Sequence, residues 1–113
     1  MATIEGGNYT VDYDPKRASI AMSGMLRLNG PGEYAPIVGI LNEALGQHRD
    51  VTLDLRQLEF LNSSGIGMLL KFVIEARKQD VGLKIQGSNA VAWQGKSLIS
   101  LQRLMPNLNL EFE

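Results

Sequence analysis

The stretch from Val51 to Val73 constrains this chain more than any other. Val51-Thr52-Leu53-Asp54-Leu55 is short, apolar and rich in β-branched residues. That composition predicts a strand in the interior of a sheet, buried on both sides or nearly so. Leu58, Phe60 and Leu61 prolong the apolar character, and Asn62-Ser63-Ser64-Gly65 breaks it. Ile66, Leu69, Leu70 and Val73 then recur at i, i+3, i+4 and i+7. The change of period predicts that the chain leaves a strand and enters a helix over about 64–79. Leu83 and Ile85, closed by Gly87-Ser88-Asn89, predict the next strand. A strand, a crossover helix and a strand form a parallel pair, and the crossover is right-handed.

The flanking segments complete the pattern. Tyr9, Val11 and Tyr13 alternate with polar neighbours, Asp14-Pro15-Lys16-Arg17 reads as a turn, and Ile20 and Met22 alternate again. An antiparallel hairpin of 8–14 with 18–24, extending toward Leu28, follows. Residues 1–7 read as a loose lead-in. After the loop signal Asn29-Gly30-Pro31-Gly32, apolar residues from Tyr34 to Leu45 recur at helical spacing and predict a helix over about 33–45. Residues 90–96 are ambiguous, since Gly95 interrupts any helix there. Leu98, Leu101, Leu104 and Met105 support a third helix ending at Pro106, and Leu108, Leu110 and Phe112 a final edge strand. The expected fold class is α/β, ordered β-β-α-β-α-β-α-β. It is a single domain over 1–113 with a mixed sheet of about five strands and helices mainly on one face.

Composition narrows the function. The 113 residues suit one core. Eleven Lys plus Arg against 12 Asp plus Glu give a net charge of −1, too little basic excess to hold a nucleic-acid backbone. There is no cysteine, hence no disulfide or thiolate chemistry. Residues 1–7 lack a basic start followed by an apolar run, and no apolar stretch approaches the ~20 residues of a membrane span. The expectation is a cytoplasmic domain without membrane insertion. The only histidine, His48, precedes the 51–55 strand while Ser63 follows it, so a Ser-His pair within one subunit is geometrically wrong. His48 reads as a solvated loop residue. One histidine and no close carboxylate cluster give no metal ligand set, and no cofactor is expected. Gly65-Ile66-Gly67 is neither a dinucleotide fingerprint nor a phosphate loop; its small residues would let the first helical turn approach the sheet. An enzyme is the least favoured reading.

The informative site is the strand-to-helix turn. Asn62, Ser63 or Ser64 can cap the helix by accepting a backbone N–H. The hydroxyls are then caps and nothing else, or one serine is a phosphorylation switch whose phosphate meets free N–H groups and the positive end of the helix dipole. On the same helix Met68 and Phe72 lie i, i+4 apart, off the stripe of Ile66, Leu69, Leu70 and Val73. They form a docking patch, or they pack against a neighbouring helix or its loop.

These residues resemble a known family. Val51-Thr52-Leu53-Asp54-Leu55, a short spacer, then Phe60-Leu61-Asn62-Ser63-Ser64-Gly65-Ile66-Gly67-Met68-Leu69-Leu70 is similar to the STAS domain, known best from bacterial anti-sigma factor antagonists. The likeness extends to the upstream hairpin and to Gly82-Leu83-Lys84-Ile85. It implies a mixed sheet flanked by helices and a regulatory protein-interaction module that switches partners. It further implies phosphorylation at Ser63 by a serine kinase, with Ser64 as the lesser candidate, and resetting by a serine phosphatase. The unmodified form would bind a kinase or anti-sigma-like partner through Asn62, Ser63, Ser64, Gly65, Met68 and Phe72. The family's acidic residue before the serine is Asn62 here. Some STAS domains are not phosphorylated and serve as interaction subunits of transporters or larger complexes, which is the alternative reading.

Overall fold

A computed structural model describes residues 2–113, and its architecture follows from one rule of handedness. The elements run β1 Ala2–Glu5, β2 Tyr9–Asp14, β3 Ser19–Leu26, α1 Gly30–Gln47, β4 Asp50–Leu61, α2 Ser63–Lys78, β5 Gly82–Gly87, α3 Gln94–Leu104 and β6 Asn109–Phe112. They form one sheet in the order β1-β2-β3-β4-β5-β6. The first three strands are antiparallel, and β3 through β6 pair in parallel. Because spatial order follows chain order, every right-handed crossover advances in the same direction. All three helices therefore fall on one face.

The burial pattern records that asymmetry. Val51, Leu53 and Leu55 are buried on the helix side of β4, whereas Thr52, Asp54 and Arg56 on the other side are only half-buried. The strand is interior, between β3 and β5, but one face of it is bare. That corrects the expectation of burial on both sides: the apolar run is read as two-sided only if Thr52 and Asp54 are ignored.

Two further expectations change. The sheet has six strands rather than five, because residues 2–5 of the expected loose lead-in form β1, in register from Ala2 opposite Tyr13 to Glu5 opposite Thr10; Met1 lies outside the described residues. The 51–55 strand continues to Leu61, through two register shifts against β3. The shifts move the buried set from Val51, Leu53 and Leu55 to Leu58 and then to Leu61. That break in alternation hides the second half of the strand from a period-2 reading. The ambiguous segment 90–96 contains the start of α3 and a fully buried glutamine, Gln94. Its amide Nε2 donates to the carbonyls of Leu55 (2.7 Å) and Leu58 (3.1 Å), and its Oε1 accepts from the Ser88 N–H (2.7 Å).

Candidate functional site: the β4–α2 turn and the groove beside it

The site begins where β4 ends. Asn62 has extended backbone angles and caps α2: its Oδ1 accepts the Gly65 N–H at 3.0 Å. The same oxygen accepts the Tyr34 hydroxyl at 2.7 Å, and Nδ2 donates to the Leu28 carbonyl at 2.7 Å. One amide thus ties together α2, α1 and the loop that leaves β3. The arrangement calls for an acceptor and a donor on one short side chain, which Asn supplies and a carboxylate does not. Burial pushes the Tyr34 hydroxyl up from the usual phenol range, so it stays protonated and donates.

Gly65 is fixed by the same packing. A Cβ there would fall inside the Leu61 side chain and 2.7 Å from Tyr34 Oη. The small residue does let the first helical turn sit close to the sheet. Gly67 does not share that role: nothing lies within 4 Å of where its Cβ would be.

Since Asn62 is the cap, the two serines are left over. Ser63 and Ser64 are both exposed, and neither side chain makes a hydrogen bond among the described residues. Ser63 opens the helix and Ser64 stands one residue inside it.

Of the two readings of Met68 and Phe72, packing against a neighbouring helix holds and the docking patch does not: they are 5% and 3% exposed. The buried stripe of α2 is Gly65, Met68, Leu69, Phe72, Val73 and Ala76, while Ile66 and Leu70 are only half-buried. The helix is rotated from its expected phase because α1 packs against its flank as well as the sheet beneath. Met68 and Phe72 face that neighbour, and with Val38 and Leu41 of α1 they line a groove of about 520 Å³. The groove continues toward the serines as a space of about 550 Å³, bounded among others by Ala35, Gly39, Ser64, Gly67 and Lys71. Met68 therefore touches the groove floor without being a protruding anchor.

His48 is displaced from its expected role. It is half-buried, and its Nε2 lies 2.9 Å from Tyr13 Oη, which donates to Gln47 Oε1 at 2.6 Å. The histidine thus closes the end of α1 against β2. It precedes β4 and Ser63 follows it, so the 12-residue strand separates the two by on the order of 30 Å. Among the described residues, no group of three or more His, Asp or Glu side chains could hold a metal ion. No helix of the described residues is long and apolar enough to cross a membrane.

The geometry can now be set beside known proteins. The family model of the Mlab, STAS domain matches residues 10–106, from β2 through the end of α3. This chain belongs to the STAS domain family. The STAS assignment makes it a regulatory protein-interaction module. Solved structures agree in fold. A chain from the crystal structure of the Pseudomonas aeruginosa complex between diguanylate cyclase SiaD and its activator SiaC superposes with a TM-score of 0.75 at 14% identity, covering 100% of both chains. Apo-SiaC of the same organism gives 0.73 at 12% identity, covering 100% of this chain and 99% of that one. A further SiaC structure gives 0.70 at 16% identity, covering 99% and 96%. No curated protein matches the sequence.

Proposed function

We propose that this STAS domain is a partner-binding switch whose state is set by phosphorylation of Ser63. The observation that carries the reading is the division of labour at the turn. Asn62 caps the helix, so the exposed Ser63 hydroxyl has no structural task. A phosphate there adds about −1.5 to −2 charge. The N-terminus of α2 accommodates an anion, favouring it by about 0.3–1 kcal/mol at an exposed site. A partner lying over the turn has no such accommodation, because burying that charge without a matching cation costs several kcal/mol. Phosphorylation by a serine kinase therefore releases the partner and leaves the fold intact, and a serine phosphatase restores binding. The partner is an anti-sigma-like factor or another signalling protein; SiaC, which shares this fold, is an activator of a diguanylate cyclase.

One observation favours a second reading. Asn62 is neutral and makes three hydrogen bonds, so the turn is held without the family's acidic residue. A constitutive interaction subunit of a transporter or larger complex needs no more than that.

The two readings part on one experiment. Protein from its native host is weighed intact, and partner capture is compared for wild type, Ser63→Ala and Ser63→Asp. The switch predicts a fraction heavier by one phosphate, capture by Ser63→Ala, loss of capture by about a hundredfold in Ser63→Asp, equivalent to about 2.7 kcal/mol, and unchanged melting. Equal capture by all three sinks the switch and leaves the constitutive subunit.

A further inference from the structure

The groove between α1 and α2 has a shape and a charge that specify an occupant. Its two spaces share Val38, Asn42, Met68 and Lys71, so they are one channel. It runs alongside α2 from Ser64 to Gln79, about 22 Å at the helical rise. The accessible apolar surface along it is Ala35, Val38 and Ile74, with Leu41, Met68 and Phe72 buried beneath. At the end near the serines the walls are cut down: Gly39 on α1 and Gly67 on α2 both look into open space. There, Lys71 is the one charged side chain lining the channel, and it has no ion-pair partner among the described residues. At the far end Glu75 and Lys78 pair with each other at 3.8 Å.

We infer that this channel holds an amphipathic α-helix of a protein partner, about four turns long, with an acidic side chain set against Lys71. Three features select it. The length fits such a helix, and lowered glycine walls admit a third backbone to the 8–10 Å at which helices pack. Apolar residues at i, i+3, i+4 and i+7 of the incoming helix cover Ala35, Val38 and Ile74. The unpaired Lys71 supplies the charge complementarity that fixes register and excludes basic helices. The inference rests on the partner-binding reading but not on phosphorylation.

The test uses the full chain as bait for a displayed library of random 16-residue peptides. An enriched peptide is then titrated by fluorescence anisotropy. The expected peptides carry the i, i+3, i+4, i+7 apolar spacing with an Asp or Glu on one flank. Gly39→Leu, which fills the channel from one wall, weakens binding at least tenfold, and Gly67→Leu does the same from the other wall should Gly39→Leu fail to fold. Lys71→Glu weakens it about tenfold and selects peptides with Lys or Arg at the flank. Enriched peptides that bind Gly39→Leu and Gly67→Leu as well as wild type overturn the inference, as does a failure to enrich above bare beads. Sedimentation supplies a third way to lose it: a wild-type dimer that Gly39→Leu makes monomeric assigns the channel to a second copy of this chain. The two proposals fail separately. Peptide binding lost in Gly39→Leu but kept in Ser63→Asp keeps the groove and removes the switch. Native partner lost in Ser63→Asp but kept in Gly39→Leu does the reverse.

Discussion

The two halves of β4 are built differently. From Asp50 to Asp54 the strand is laddered to β5 residue by residue, while Thr52, Leu53 and Asp54 also pair with β3. From Gln57 to Leu61 it keeps β3 but has no partner in β5, which goes on to pair with β6. On that freed side the Leu55 and Leu58 carbonyls turn to side chains, the Gln94 amide and, for Leu58, the Trp93 indole N–H at 3.0 Å. The regular half is held by backbone and would stand in many sequences. The irregular half keeps β3 on one side and is held on the other by named side chains, and it is the half that delivers Asn62 and Ser63. The proposed switch sits where half of the ordinary pairing has been replaced by specific contacts.

The largest expected effect separates the halves by how damage spreads. Leu53 is fully buried in the regular half, and Leu53→Ala should cost about 2–5 kcal/mol in urea denaturation. Amide exchange should then rise across the whole sheet. Gln94→Met keeps the volume but leaves the Leu55 carbonyl and the Ser88 N–H without their partner, while the Leu58 carbonyl keeps the Trp93 indole N–H, at about 1–3 kcal/mol. Its excess exchange should be confined to 55–61 and 88–94. A Gln94→Met profile as uniform as that of Leu53→Ala would break the comparison.

The same division explains what was legible in the sequence. The hairpin, the 51–55 strand, α2 and its start at Ser63 follow from local periods. The irregular half does not, because its logic is long-range. Gln94 acts 36 and 39 residues away, and Asn62 is completed by Tyr34 and Leu28 from α1 and the loop before it. Asn62 was recognisable as a cap from its type and position, but not as a hub. The sequence left Met68 and Phe72 open between a docking patch and helix packing for a related reason. A helix flanked by α1 as well as floored by the sheet has a wide apolar arc, and its edge is set by the neighbour. β1 was missed because four residues before two glycines carry too little alternation to register.

A smaller effect sharpens the comparison at the site itself. Tyr34→Phe removes one hydroxyl from the Asn62 hub and keeps the ring in the core, so it should cost about 0.5–1.5 kcal/mol. Near-equal partner capture by Tyr34→Phe and wild type would show that the turn is held by the Gly65 and Leu28 contacts alone. Reduced capture exceeding the loss of stability would show that α1 positions the turn through this one bond.

The smallest effect lies at the junction of the halves, on the bare face of the sheet. Asp54 is the last β4 residue paired with β5, and Arg56 stands just beyond it. Their side chains meet at 2.9 Å, and Arg56 also reaches Glu113 at 2.9 Å. The Arg56 hydrogen bond holds the Asp54 carboxyl below its ordinary range, against the opposing effect of partial burial. A carboxyl whose pKa is lower in the folded state contributes stability above the unfolded pKa and loses it as pH falls through the folded one. The melting difference between wild type and Asp54→Asn should therefore be constant above about pH 5 and shrink below about pH 4. It should also be small throughout, because the pair is partly open to solvent. A difference that persists undiminished in acid would mean that Asp54 works as a strand residue rather than as a charge.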